Sequence, residues 1–145
     1  TDEEALARSV FGTAIDYAPV RLSHRKWVFF QPRDVAMTPC GCLHFHPGGH
    51  LWRDDFAAAS LDMQGLFIHE MVHVWQHQRG VCLPIRRHPF CRYSYALKPG
   101  RPFARYGLEQ QGEIVRHAFL LRHGGRVPGA PPLSQYQTLI PFQGG

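Results

Sequence analysis

The chain has 145 residues, 44% of them hydrophobic, with 16 Lys and Arg against 11 Asp and Glu for a net charge of +5 and a sequence pI near 9.3. This supports one domain, residues 1–145, with a sizeable core. It excludes a membrane-spanning helix, because no window approaches ~18 consecutive apolar residues, and no charged-then-apolar leader pattern opens the chain.

Thr1-Asp2-Glu3-Glu4 is a capping box that opens a short helix through Ala5, Leu6, Val10 and Phe11, closed by Gly12. Residues 17–23 and 27–30 are β-branched and aromatic runs separated by His24-Arg25-Lys26, and predict paired strands. Leu43 to His46 and His50 to Trp52 flank Pro47-Gly48-Gly49, a hairpin signal. A long helix follows over about 61–79, with Gly80 as its stop. Residues 81–105 read as irregular apart from a strand at 92–97. A second helix spans about 107–123 and ends at Gly124-Gly125. Residues 127–145, rich in Pro, Gly and Gln, predict an extended tail packed through Tyr136, Leu139, Ile140 and Phe142. Strands first, then two helices, suit an α+β fold: a short twisted sheet packed on the long helix and on the second, C-terminal helix.

The long helix carries His69-Glu70-Met71-Val72-His73, a His-Glu-x-x-His pattern. Residues four apart share a helix face, so His69 and His73 direct two imidazoles at one metal ion. Glu70 lies about 100° round the helix from His69, within reach of a metal-bound water without being a ligand. Two nitrogen ligands beside a carboxylate base are what zinc peptidases use. The alternative, surface histidines on a solvated helix, fits poorly with Leu66, Phe67, Ile68, Met71, Val72, Val74 and Trp75, which are apolar on most sides.

Catalytic zinc takes three protein ligands and keeps one position open. A metzincin would continue with Gly at position 76 and His at 79; Gln76 and Arg79 exclude that class. His77 stands about 12 Å along the helix axis from His69, too far to share the ion. The third ligand must come from elsewhere. On the second helix, Glu109, Glu113 and His117 are spaced four apart on one face, and either carboxylate is otherwise a solvated charge. Gln76, one turn past His73, packs in the helix and is placed to orient a histidine.

Other groups carry weaker signals. His44 and His46 share a strand face near His50, Cys40 and Cys42, compatible with a second metal site, though surface histidines are the plainer account. Cys40-Gly41-Cys42 is too short to close on itself, so any disulfides run to Cys82 and Cys91; free thiols fit equally. The positive surplus lies mostly after residue 78, from Arg79 to Arg126. With no recognition helix or basic–aromatic platform, it reads as a solvated face suited to anionic substrates or cell-envelope polymers, and no nucleic-acid partner is expected.

Phe67 to Gly80, the run Tyr106-x-x-Glu109-Gln110-Gln111-Gly112-Glu113, Asp54-Asp55-Phe56 and Leu139-Ile140-Pro141-Phe142 together resemble the small bacterial metallopeptidase domains of type VI secretion, including Vgr-related proteins, and of polymorphic toxins. The likeness covers most of the chain, and His-Glu-x-x-His is its specific part. More widely, the chain is similar to gluzincins of the anthrax lethal factor and Pro-Pro endopeptidase kind. In these a helical Glu is the third ligand and a Tyr seven residues earlier lies near the zinc. Tyr106 stands seven before Glu113, so the resemblance implies Glu113 as ligand above Glu109, with Gly112 replacing the usual alanine.

The resemblance thus implies a zincin-like zinc peptidase that hydrolyses peptide bonds of a protein or of peptidoglycan. His69, His73 and Glu113 hold Zn²⁺, Glu70 is the general base, and Tyr106 hydrogen-bonds the oxyanion. The hairpin 43–52 would supply the strand that pairs with an extended substrate. It also implies an effector or processing enzyme delivered outside the cell or to the periplasm, with a secretion apparatus and an immunity protein as partners. The rival reading is a non-enzymatic binding or loading module on the same fold; retention of Glu70 speaks against it.

Overall fold

In a computed structural model, which describes residues 1–83 and 92–142, helix α1 spans Asp2–Phe11. The Thr1 hydroxyl accepts the Glu4 N–H at 3.0 Å, and Asp2, Glu3 and Glu4 set negative charge at the positive end of the helix. Ala7 and Phe11 enter the core. Glu3 Oε2 accepts the Phe56 N–H at 3.0 Å and so ties α1 to a 3-10 turn, Phe56–Ala58.

Helix α2, Leu61–Gln78, is the centre of the molecule. Ser60 caps it, and every residue from Phe67 to Gln76 is buried. A helix apolar on most sides belongs in an interior. Phe67, Ile68, Met71, Val72 and Val74 are at most 2% exposed, and each contributes roughly 1.5–3 kcal/mol on leaving water. That burial offsets the cost of sinking imidazoles and carboxylates in the same layer.

Helix α3, Leu108–Arg122, packs against α2 over most of its length. Glycines permit the approach at two points. A Cβ on Gly112 would stand 2.7–2.9 Å from the His69 ring, and one on Gly65 would stand 3.1 Å from Leu120 Cδ2. The expected tail is helical in part: α4 covers Leu133–Leu139. Its polar residues face out while Tyr136 is fully buried, which an extended course would not achieve so locally. Phe142 then packs on Phe11, Trp75 and Phe103, closing one shared core.

The sheet differs most from expectation. It has two residues per strand, β1 at Leu22–Ser23 and β2 at Leu43–His44, paired in parallel with Leu22 opposite Leu43. Residues 27–30 form no strand, and Pro47-Gly48-Gly49 closes no hairpin. The reason is local hydrogen bonding. His46 Nδ1 accepts the Gly48 N–H at 2.8 Å, and Gly49 fits against the Arg33 carbonyl where a Cβ would collide. Residues 43–45 are bonded on both edges, to Arg21 and Ser23 on one side and Met37 on the other. They therefore offer no free edge to a substrate, contrary to the strand-pairing expectation. Residues 92–97 likewise have no strand partner among the described residues. The fold is a small, mostly helical mixture of helices and short sheet.

Candidate metal centre

The His-Glu-x-x-His turn sits in the buried middle of α2. His69 is 4% exposed, Glu70 4% and His73 0%. Their ligand atoms lie within 4.8 Å of one another, and the two imidazole centroids are 5.0 Å apart at 78°. The i and i+4 spacing therefore converges as the sequence predicts.

A chain of amides fixes His73. Gln76 Nε2 donates to the Leu108 carbonyl at 3.1 Å and to Gln111 Oε1 at 2.9 Å, so Gln76 Oε1 faces His73 Nδ1 at 2.8 Å. Gln111 is held in turn by donating to the Tyr106 carbonyl at 2.9 Å. The Nδ1 nitrogen must then carry the proton, and Nε2 points across to α3. There it meets Glu109, 1% exposed, whose Oε1 lies 2.6 Å away and whose Oε2 lies 3.7 Å from His69 Nε2. An imidazole nitrogen and a carboxylate oxygen this close need positive charge between them, a proton or a metal ion. Tetrahedral zinc holds N and O ligands roughly 3.4 Å apart; the His69–Glu109 distance is near that value, and the 2.6 Å His73–Glu109 contact is the closer spacing of a directly bonded pair. The donor set fits such an ion.

Glu113 is one turn further along the same face of α3 and meets His69 from the Nδ1 side. Its Oε1 lies 3.9 Å from His69 Nδ1. Its oxygens are 3.4 Å from Arg116 Nη1 and from His117 Nε2. His117 Nδ1 lies 2.6 Å from the Tyr95 hydroxyl, which is 2.7 Å from that of Tyr136. Burial lowers the His117 pKa, against the pull of Glu113. Burial and the Tyr136 hydrogen bond raise that of Tyr95. These groups, with Tyr93 and Arg126, line a cavity of about 770 Å³ whose walls include neither His69 nor His73.

Tyr106 is not brought to the histidines. Its hydroxyl accepts the Lys98 N–H at 3.0 Å, and the Arg101 guanidinium lies over its ring. The hydrogen bond ties the 97–101 turn to the core residue Tyr106. Two residues that no motif marks do join the site. Thr38 donates its hydroxyl to Glu70 Oε2 at 2.6 Å. Tyr93, 48% exposed, stacks over His69 with centroids 6.0 Å apart. Nothing in the sequence flags Thr38. Tyr93 falls in the expected strand 92–97, where its spacing gives no sign of a site.

The weaker signals resolve partly. Among the described residues, no metal-ligand cluster forms around His44, His46 and His50. Cys40, Cys42 and Cys82 are free thiols, and Cys91 lies outside the described residues.

No family model matches the chain. Over 128 residues it is 44% identical to the type VI secretion system spike protein VgrG2b of Pseudomonas aeruginosa, a match covering 81% of this chain. The chain spans only 12% of that relative's length. Among solved structures, the effector domain of Pseudomonas aeruginosa VgrG2b superposes with a TM-score of 0.78 at 42% identity, covering 84% of this chain and 72% of that one. Similarity of this extent over most of both structures means that the chain belongs to the family of the VgrG2b effector domain.

Proposed function

We propose that residues 1–145 form a zinc-dependent peptidase domain acting as a type VI secretion effector. The observation that carries the reading is the convergence of His73, His69 and Glu109. Gln76 holds His73 Nδ1, and Nε2 opposes the Glu109 carboxylate at 2.6 Å, beside His69. Two imidazoles and one carboxylate suit zinc. On this geometry Glu109 is the third ligand, and Glu113 orients His69 from outside as acidic partners of metal-bound histidines do.

A bound zinc ion supplies a water whose pKa falls toward neutrality. Glu70, held at Oε2 by Thr38, is the general base for that water and returns the proton to the leaving amine. Tyr93 stands at the mouth of the site over His69, as a phenol able to hydrogen-bond substrate. The cavity that Tyr93 and Glu113 help to line is the nearest concave surface open to a substrate segment. The Thr38 contact also favours enzyme over binding module, because a metal-held scaffold has no use for an oriented base beside its ligands. The substrate is a protein or a peptidoglycan cross-peptide. Family membership supports delivery by the secretion apparatus, outside the cell or to the periplasm, and an immunity protein in the producing cell.

The test is hydrolysis of peptide and muropeptide mixtures before chelation, after it, and after zinc is restored. Activity lost and regained supports the proposal. Activity indifferent to chelation, or none on any substrate with zinc bound, contradicts it.

A further inference from the structure

Away from the metal centre, one loop holds large aromatic rings out in water. Phe29 is 86% exposed and Phe30 66%, with ring centroids 5.2 Å apart and edge to face; Trp27 and Val35 are 37% and 36% exposed. Exposure of this kind normally accompanies slack backbone, but this backbone is pinned. Gln31 is 3% exposed, and its carboxamide donates to the carbonyls of Val35 and His44, each at 2.9 Å. The same side chain accepts the Trp27 N–H at 2.8 Å. Residues 27–35 are therefore fastened through one buried amide to β2, and their apolar tip points outward.

Charge is layered behind the tip. Lys26 Nζ donates to the Phe29 carbonyl at 3.3 Å. The Arg33 side chain lies against Gly48, where the His46 ring also packs, so it belongs to the base of the loop. Arg25 adds a third cation, and Asp34 is the one acid between Asp16 and Asp54. Aromatic rings outermost, cations one layer back, and little negative charge match the depth profile of an anionic bilayer. There rings sit at the boundary of headgroups and acyl chains while Lys and Arg meet the headgroups. A protein groove would demand no such order.

We propose that the 25–35 loop is a preformed anchor that docks this domain on the surface of an anionic lipid bilayer. Because Gln31 fixes the loop before contact, little ordering entropy opposes docking. This inference is independent of the peptidase reading.

The experiment is co-sedimentation of the full chain with vesicles of phosphatidylcholine alone and of equal parts phosphatidylcholine and phosphatidylglycerol. The protein partitions at least about tenfold more strongly onto the mixed vesicles, an effect expected of two or three cations near the surface. Phe29→Ser/Phe30→Ser and Lys26→Gln/Arg33→Gln each reduce that partition several-fold, with thermal unfolding unchanged because these side chains are exposed. Bromine-labelled acyl chains quench Trp27 fluorescence in the parent, and Trp27→Phe loses the quenched component; this arm decides the matter should a double variant misfold. Equal partition on both vesicles, or none, overturns the proposal. So does a Phe29/Phe30 variant that binds like the parent, which would mean charge adsorption alone.

Discussion

His73 Nε2 and Glu109 Oε1 stand 2.6 Å apart across the α2–α3 interface, while Gln76 occupies the other nitrogen of the same ring. The pair meets because the amide chain from Gln76 through Gln111 locks the two helices in one axial register. That register brings Glu109, and not Glu113, to the Nε2 side of both imidazoles.

Replacing the two carboxylates separates their roles. Glu109→Ala weakens zinc binding by more than the ~10–100-fold that outer partners contribute, whereas Glu113→Ala stays within that range. Competition with a chromogenic chelator measures both. The reverse order would return the ligand role to Glu113.

Gly112→Ala tests the packing of the same interface. In an exposed helix the change would gain about 1 kcal/mol. Here the new methyl enters the space of the buried His69 ring at 2.7–2.9 Å. The variant is expected to lose roughly 1–3 kcal/mol by overpacking, and zinc affinity with it. Denaturant unfolding of the metal-free proteins checks the sign, and a stabilised variant would refute the close approach.

His117 sets a pH dependence. Its pKa is lowered by burial, so the folded chain keeps it neutral where an unfolded chain takes up a proton. Its contribution to stability is intact above the unfolded value of about 6.5 and is lost as pH falls toward the folded one. Metal-free parent protein should therefore lose more thermal stability on acidification through this window than His117→Gln does. Parallel loss in both proteins would assign the effect to other groups.

The sequence resolved what depends on spacing along one helix. The caps at Thr1 and Gly80, the extents of α2 and α3, and the convergence of His69 with His73 all follow from local rules. It did not resolve what depends on how elements dock. Glu109 and Glu113 share a face, so periodicity cannot choose between them; they differ by about 6 Å of axial rise, and the docking of the helices, through the Gln76–Gln111 amides and the fit of Gly112 against His69, decides which one reaches Nε2. The role expected of Tyr106 rests on a resemblance in spacing, and the backbone N–H of Lys98 takes its hydroxyl as acceptor. The aromatic run 27–30 has strand propensity, yet the Gln31 amide takes its backbone into a loop. Thr38 reaches Glu70 from a distant segment that carries no signal.

The central claim, hydrolysis by a metal-activated water with Glu70 as base, is tested most directly by Glu70→Gln. The substitution keeps the size of the side chain and its ability to bond to Thr38, but removes the capacity to take a proton. Zinc content and peptide hydrolysis are measured together on parent and variant. The account predicts equal zinc and a loss of hydrolysis of at least ~10²–10⁴-fold. A variant that retains both zinc and the parent's rate would contradict it.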